Sequence, residues 1–226
     1  MRRQINKVLK PFGYEIIKLS KFFETIKNIQ KKNRNFTFIQ IGANDGVQFD
    51  SLYQFVTANK CKGIVIEPLP DFYGKLVHNY RDFPTIIPLQ IAVHSSKKKS
   101  IIYRVDPEKL HMLPAWAEGI SSFNPDHHKK SNTPSNFIIK EEVECMHLMD
   151  IIIDFGFECL DLLQIDTEGY DAEVIKMIDF TKVSPNVIKF EHSNLTQKEG
   201  NEVKTLLKKN GYRIFTERHD TIAIKK

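Results

Sequence analysis

The sequence of 226 residues has only three cysteines, no long apolar run and neither of the commonest glycine motifs for nucleotides. Cys61, Cys145 and Cys159 are scattered without a Cys-x-x-Cys pair, so neither a disulfide framework nor a cysteine-rich zinc site is expected. No segment approaches the roughly 20 apolar residues that span a bilayer, and the basic N-terminus lacks the apolar core of a signal peptide. A cytoplasmic location is therefore the default expectation.

The charge is unevenly distributed along the chain. The net charge is +5, but residues 1–35 carry ten basic and two acidic side chains, which leaves −3 for the remainder. A basic segment of this kind could contact nucleic acid or, peripherally, an anionic membrane surface. A solvated helical face is the more favoured interpretation, and the acidic balance of the remainder argues against a surface that follows phosphates.

Apolar patterns predict that strands and helices alternate from residue 36 onward, which is typical of a mostly parallel sheet. The predicted strands are 36–41, 63–66, 85–93, 160–165 and 186–190, and the predicted helices are 50–59, 71–80, 172–178 and 197–210. Residues 211–216 and 221–224, separated by 217–220, predict a hairpin whose last strand runs antiparallel. Before residue 36, Pro11 and Gly13 divide two helical patterns, and we expect the second helix to cover one edge of the sheet.

Residues 106–136 contain four prolines and few periodic apolar residues, and loops of this length are often lids or binding loops. A possible strand at 98–105 precedes them, and a strand at 141–145 and a helix at 148–155 follow. Within the loop, Ser121 and Ser122 offer hydroxyls to a polar substrate. The adjacent His127 and His128 cannot share one helix face, so we expect both to be exposed to solvent.

The loop Gly42-Ala43-Asn44-Asp45-Gly46 follows the first predicted strand and precedes a helix. Glycine lets the backbone approach a ligand closely, and a helix N-terminus offers free N–H groups. The loop is neither a Gly-x-Gly-x-x-Gly motif nor a P-loop. Glu67 ends the next strand, 25 positions after Gly42, where an acidic side chain can accept hydrogen bonds from ribose hydroxyls. Together they predict a nucleoside ligand.

Acidic and imidazole side chains follow two later strands. Asp166 and Glu168 come directly after one strand, and Glu191 and His192 end the other. If these strands are neighbours, the four side chains meet at one edge of the sheet. Asp166, Glu191 and His192 could then bind a divalent cation, or His192 could act as a general base oriented by Glu191 or Asp166 without a metal. The metal-free alternative is slightly favoured, and a purely structural role, with Asp171 as a helix cap, remains open.

These motifs, in this order, resemble the FkbM family of methyltransferases over residues 36–192. Leu162-Leu163-Gln164-Ile165-Asp166-Thr167-Glu168-Gly169 is similar to the family's Leu-Leu-Lys-Ile-Asp-x-Glu-Gly block, although Gln164 stands where lysine is frequent, so no role is assigned to it. Ile39–Gly46 resembles the opening cofactor loop, and Glu67-Pro68 the ribose-binding acid. The resemblance implies an α/β, class I methyltransferase Rossmann-like fold, with a mostly parallel seven-stranded sheet and an antiparallel C-terminal hairpin. This domain would span 36–226, after a basic helical segment at 1–35.

The resemblance also implies transfer of a methyl group from S-adenosyl-L-methionine, commonly to a hydroxyl of a sugar, glycan precursor or secondary metabolite. Ser121, Ser122 and Glu168 are then expected to contact the acceptor. By position in the family, the methionine part of the cofactor would be held by Gly42, Asn44, Asp45 and Gly46. Glu67 with Pro68 would hold the ribose, and Ala92 would lie near the adenine. Asp166 would face the methionine amino group or the acceptor.

Two other functions stay open at this point. An NAD-dependent oxidoreductase would share the glycine loop and the ribose acid, but the missing Gly-x-Gly-x-x-Gly motif and the terminal hairpin argue against it. A nucleic-acid-binding module or RNA methyltransferase would use the basic residues 1–35, although no nucleic-acid partner is favoured. The N-terminal helices could also pack on a second copy of the chain.

Overall fold

The computed structural model describes residues 20–48, 50 and 52–226. Six α-helices are described, namely α1 (Lys21–Lys32), α2 (Tyr53–Ala58), α3 (Pro70–Tyr80), α4 (Leu148–Asp154), α5 (Asp171–Lys176) and α6 (Gln197–Lys209). The strands in the same part of the chain are β1 (Thr37–Ile41), β2 (Lys62–Ile66), β3 (Ile86–Leu89), β4 (Ala92–Val93), β5 (Lys99–Val105), β6 (Ser121–Ser122), β7 (Ile138–Met146), β8 (Leu162–Ile165), β9 (Val187–Glu191), β10 (Tyr212–Glu217) and β11 (Asp220–Lys225).

Seven strands form the main sheet in the order β3-β2-β1-β8-β9-β11-β10. Counted in chain order within this sheet, the strands run 3-2-1-4-5-7-6. Neighbours from β3 to β9 pair in parallel, and β11 is antiparallel to both β9 and β10. The expected mostly parallel sheet with an antiparallel terminal hairpin is therefore confirmed.

Helices cover both faces of the main sheet, which explains why its central strands are apolar throughout. Ile39 and Ile41 of β1 point to one face and join a core with the buried residues of α4, α5 and α6. Phe38 points to the other face and joins a core that includes buried residues of α1, α2 and α3. The second predicted N-terminal helix is present as α1. It packs on this face through Phe22 and Ile26, and its N-terminal end reaches Glu217 of the edge strand β10 through Ser20 and Lys21. The first predicted helix lies outside the described residues.

A smaller sheet in the order β4-β7-β5-β6 adjoins the main one. The strand expected at 85–93 is two strands in different sheets, because the chain leaves β2 after Leu89 and Ala92 then pairs with Cys145 of β7. Arg104 of β5 ties the smaller sheet to α3. Its guanidinium donates to both carboxylate oxygens of Asp71 at 2.6 and 2.7 Å and to Glu141 at 3.1 Å, a bidentate geometry that fixes orientation.

Two connections differ from the sequence prediction. Residues 106–136 contain short 3-10 helices and the strand β6, so this segment is not an irregular loop. The terminal hairpin is tighter than the predicted four-residue connection, because Glu217 pairs with Asp220 and only Arg218 and His219 remain in the turn. Arg218 adopts a positive φ of 49° there, as two-residue hairpin turns require.

No helix in the described part of the chain is both long enough and apolar enough to cross a membrane.

Candidate active site

A cleft lies at the carboxyl ends of β1, β2 and β8, the edge at which open α/β sheets bind ligands. It consists of a polar cavity of about 280 Å³ and an apolar cavity of about 50 Å³. The two cavities share Gly42, Glu67, Ser121 and Asp166 as lining residues, so they form one continuous site. Three segments that are far apart in the sequence therefore meet where the sequence predicted a nucleoside ligand.

Gly42 begins the loop after β1 with a φ of 77°, and a Cβ atom at this position would lie 1.8 Å from the carbonyl oxygen of Asp166. Only glycine lets the loops after β1 and β8 come this close. Gly46 also has a positive φ, of 78°, but a Cβ atom there would meet Leu76 and Tyr80 of α3 at 2.7 Å. Gly42 therefore borders the cleft, whereas Gly46 seats the loop on a helix.

The remaining loop residues divide in the same way. Ala43 and Asn44 line the polar cavity, whereas Asp45 lines neither cavity. The Asp45 carboxylate instead accepts hydrogen bonds from the backbone N–H groups of Val47 at 2.9 Å and Gln48 at 2.7 Å. Asp45 and Gly46, both expected to hold the cofactor, are thus placed where they shape the loop.

Glu67 borders both cavities with a side chain that is only 5% exposed. Its carboxylate accepts hydrogen bonds from the backbone N–H groups of Asn44 at 2.9 Å and Leu69 at 3.0 Å, one at each oxygen. Burial raises the pKa of Glu67 to about 7, although these two hydrogen bonds act to lower it. Each oxygen keeps one further acceptor position, so the carboxylate can still receive the hydroxyls of a ligand.

The apolar cavity next to Glu67 contains the other expected cofactor contacts. Pro68 and Ala92 both line it, together with Ile66, Val93 and Phe123. Ala92 reaches this position because β4 belongs to the smaller sheet. An apolar wall beside an acidic group suits a nucleoside, because its base is aromatic and its sugar carries hydroxyls.

Three carboxylates converge at the end of β8 and β9. Oxygens of Asp166, Glu168 and Glu191 all lie within 4.8 Å of one another. The side-chain amide of Asn194 donates to Glu168 at 2.7 Å and to Glu191 at 2.5 Å. The surrounding protein and the negative charges of Glu168, Asp171 and Glu191 raise the pKa of Asp166. The Asp166 side chain is nonetheless exposed to the cleft.

His192 does not join this group, although the sequence placed all four side chains together. Its ring hydrogen-bonds to Thr221 of β11 at 3.1 Å, and it lines neither cavity of the cleft. Successive residues of a strand point to opposite faces, so Glu191 and His192 diverge at the end of β9. The strand alternation could have revealed this from the sequence.

Asp171 is fully buried and ties the loop after β8 to the end of β9. Its carboxylate accepts hydrogen bonds from the N–H and the hydroxyl of Thr167 and from the N–H of Glu191. Burial raises its pKa to about 6. The alternative of Asp171 as a helix cap is wrong, because Tyr170 is the N-cap and Asp171 is the first residue of α5.

The segment 106–136 covers the cleft and is attached to Glu168. Ser121 borders both cavities, while Ser122 borders the apolar one and donates from its hydroxyl to the Glu168 carbonyl at 2.8 Å. His127 Nε2 lies 3.0 Å from the Glu168 carboxylate. The expectation that His127 and His128 are solvent-exposed is wrong, since they are 7% and 8% exposed. No local pattern reveals this contact, because its partner lies on a distant part of the chain.

Sequence reasoning also missed five polar residues of the larger cavity, namely Gln40, Gln48, Asp50, Gln164 and Lys189. Gln40 and Gln164 lie within otherwise apolar strands, and Asp50 and Lys189 line the cavity beside them. Burial raises the pKa of Asp50. A polar residue in an apolar strand was the signal available for the two glutamines, because burying an amide is unfavourable unless something pairs with it.

A comparison with protein families matched one model to this chain. The model described as "Methyltransferase FkbM domain" matches residues 40–214, which include nearly all of the cleft. A comparison with curated proteins gave no significant match.

Solved structures similar to this chain include several methyltransferases. A precorrin-6y C5,15-methyltransferase from Geobacter metallireducens is 14% identical, covers 93% of this chain and 92% of its own, and has a TM-score of 0.42. The METTL16 methyltransferase domain is 12% identical, with 99% and 93% covered and a TM-score of 0.47. An O-methyltransferase from Bacillus cereus is 8% identical, with 99% and 90% covered and a TM-score of 0.45.

Proposed function

The chain belongs to the FkbM family of S-adenosylmethionine-dependent methyltransferases, whose model matches residues 40–214, and we propose that it methylates a hydroxyl of a sugar, glycan precursor or secondary metabolite. Its strand order and its antiparallel terminal hairpin are those of the class I methyltransferase fold. The observation that carries the proposal is the meeting of Gly42, Glu67 and Asp166 at one cleft.

From the polar to the apolar cavity, the lining residues fit the methionine, the ribose and the adenine of the cofactor in that order. Gly42 and Asn44 would hold its methionine part in the polar cavity, and the Glu67 carboxylate would accept hydrogen bonds from the ribose hydroxyls. Pro68 and Ala92 would contact the adenine in the apolar cavity. Asp45 and Gly46 contribute indirectly in this proposal, since both hold the loop in shape.

The bound cofactor supplies a sulfonium methyl group, which is transferred by in-line displacement. The protein supplies alignment, which can contribute roughly 7–11 kcal/mol to such a reaction, and a group that takes the hydroxyl proton. In our proposal an oxygen of Asp166 would accept the hydroxyl proton of the acceptor. The raised pKa of Asp166 favours this role, while Glu168 and Ser121 orient the acceptor and the covering segment excludes water.

A base role for His192 remains a prediction, but its contact with Thr221 leads us to propose Asp166 in its place. We also propose a metal-free reaction. Asn194 already donates to two of the three clustered carboxylates, and His127 contacts one of them, so the cluster has partners without a cation. If EDTA abolished turnover and a divalent salt restored it, the metal-dependent alternative would replace ours.

Binding of the cofactor product tests the proposed function directly. We expect S-adenosylhomocysteine to bind in isothermal titration calorimetry and NADH not to bind. The Glu67→Gln variant should weaken this binding about tenfold or more, because a carboxylate gives stronger hydrogen bonds to hydroxyls than an amide does. Glu158→Gln, at an exposed position, is the matched control. Stabilisation by NADH but not by S-adenosylhomocysteine would show the oxidoreductase alternative to be correct.

The binding partners other than the cofactor remain predictions. We propose that the acceptor is a small molecule or a glycan and that nucleic acid is not a partner, which a steep salt dependence of RNA binding would contradict. Contact with an anionic membrane or with a second copy of the chain would involve residues 1–35, of which 1–19 lie outside the described residues.

A further inference from the structure

A row of three polar side chains crosses the main sheet below the cleft. Gln40 of β1 lies in register with Gln164 of β8, which lies in register with Lys189 of β9. In-register residues of parallel neighbours point to the same face. All three accordingly line the polar cavity.

The two glutamines are buried without complete hydrogen bonding. Gln40 is 3% exposed and Gln164 is 6% exposed, and the Oε1 atom of each has no partner within residues 20–48, 50 and 52–226. The Gln40 Nε2 atom donates to Asp50 at 3.2 Å, which orients that amide and leaves its oxygen unpaired. Burying an amide oxygen without a hydrogen-bond donor is unfavourable, so two of them side by side destabilise the unliganded protein.

The row runs from the part of the polar cavity assigned to the methionine towards β9. Glu67 and Ala92, the expected ribose and adenine contacts, lie on the β2 side of Gly42. Gln164 and Lys189 lie on the opposite side, below Asp166 and towards β9. A ligand bound at the β9 end of the row therefore lies on the far side of Gly42 from the ribose and adenine contacts.

We propose that Gln40 and Gln164 bind the methyl acceptor, and that this acceptor is uncharged and carries at least two hydroxyl groups, as a polyol does. The inference rests on the proposed function. Two unpaired amide oxygens on adjacent strands, whose backbones lie about 5 Å apart, require two hydrogen-bond donors. The carboxylates of Asp166, Glu168 and Glu191 repel an anionic acceptor, and the ammonium of Lys189 is already paired with Asp220 at 3.1 Å.

Thermal unfolding without ligand separates a binding role of Gln164 from a structural one. Gln164→Leu removes an unpaired buried amide, so we expect the Tm to rise by about 2–6 °C. Thr221→Val is the control, because Thr221 is fully buried but hydrogen-bonded to His192, and its Tm should fall. A fall in the Tm of Gln164→Leu would mean that the amide stabilises the protein, and the inference would be lost.

Saturation-transfer NMR tests the ligand class, with S-adenosylhomocysteine present throughout. The probes are methyl α-D-glucopyranoside, cyclohexanol and glucuronate. For the wild type we expect a signal for the pyranoside that is about fivefold stronger than for the other two probes, because one hydrogen bond changes an affinity by about a factor of five. The Gln164→Leu variant should abolish this difference. Gln164→Met, which keeps the side-chain length, should behave like the leucine variant.

The affinity for S-adenosylhomocysteine distinguishes failure of the inference from failure of the proposed function. It should be the same in wild type and Gln164→Leu. If the cofactor product still binds, the inference of an acceptor site would be refuted in two cases. The pyranoside gives no saturation-transfer signal, or it gives equal signals with wild type and Gln164→Leu. Loss of S-adenosylhomocysteine binding in Gln164→Leu would show that Gln164 belongs to the cofactor site. If the wild type did not bind S-adenosylhomocysteine, the proposed function itself would be refuted.

Discussion

Replacing Glu67 by glutamine should change how the stability of this protein depends on pH. Burial raises the pKa of Glu67 from 4.5 to about 7 in the folded protein. The folded state therefore holds the proton more tightly than the unfolded chain, so Glu67 lowers stability progressively as the pH rises from 4.5 to 7. One pKa unit corresponds to 1.36 kcal/mol, so the whole effect is about 3 kcal/mol.

The assay is urea unfolding followed by circular dichroism between pH 4.5 and 8, with wild type, Glu67→Gln and the exposed control Glu158→Gln. We expect the free energy of unfolding of Glu67→Gln, relative to the wild type, to increase by about 3 kcal/mol across this range. Any pH-independent cost of the substitution, such as an unfavourable contact with the N–H groups of Asn44 and Leu69, cancels in this comparison. A difference that stays constant with pH would refute the argument that burial controls Glu67.

The same ionisation should govern cofactor affinity. An ionised carboxylate accepts stronger hydrogen bonds than a protonated one, so the affinity of the wild type for S-adenosylhomocysteine should increase as the pH rises towards 7. Glu67→Gln should lack this increase. If the affinity for S-adenosylhomocysteine depended on pH in the same way in both proteins, Glu67 would not be a contact of the ribose.

Further predictions concern the loop and the proposed base. Gly42→Ala should lower the free energy of unfolding by about 3 kcal/mol or more and abolish binding of S-adenosylhomocysteine, because its Cβ would overlap the Asp166 carbonyl; calorimetry measures both. Asp166→Asn should lower kcat about 100-fold or more, measured as release of S-adenosylhomocysteine, and a kcat near that of the wild type would leave the reaction without this base. His192→Ala should keep kcat within about threefold of the wild type, since a group outside the cleft cannot move the proton, and a loss as large as that of Asp166→Asn would restore its predicted role. Turnover should be unaffected by EDTA.

Local patterns in the sequence were enough to predict most of the fold. The strand of Thr37–Ile41, the glycine turn after it and the acid that ends β2 are consequences of neighbouring residues, so each could be located along the chain before the order of the strands in the sheet was known. The hairpin at the C-terminus was predicted for the same reason. The prediction of a single strand at 85–93 was wrong because the second part of this segment pairs with β7. The partners in β7, Cys145 and Met146, lie far along the chain, so no local pattern indicates this pairing.

The sequence by itself determined which chemical groups reach the carboxyl ends of the strands: Gly42, Glu67 and Asp166 each follow a recognisable strand, and strand ends are set by local patterns. Only the tertiary structure decided how those groups are paired. It turned His192 towards Thr221, buried His127 against Glu168, and placed Gln40 beside Gln164 with two unpaired oxygens. Such pairings depend on which segments become neighbours, and no local pattern carries that information.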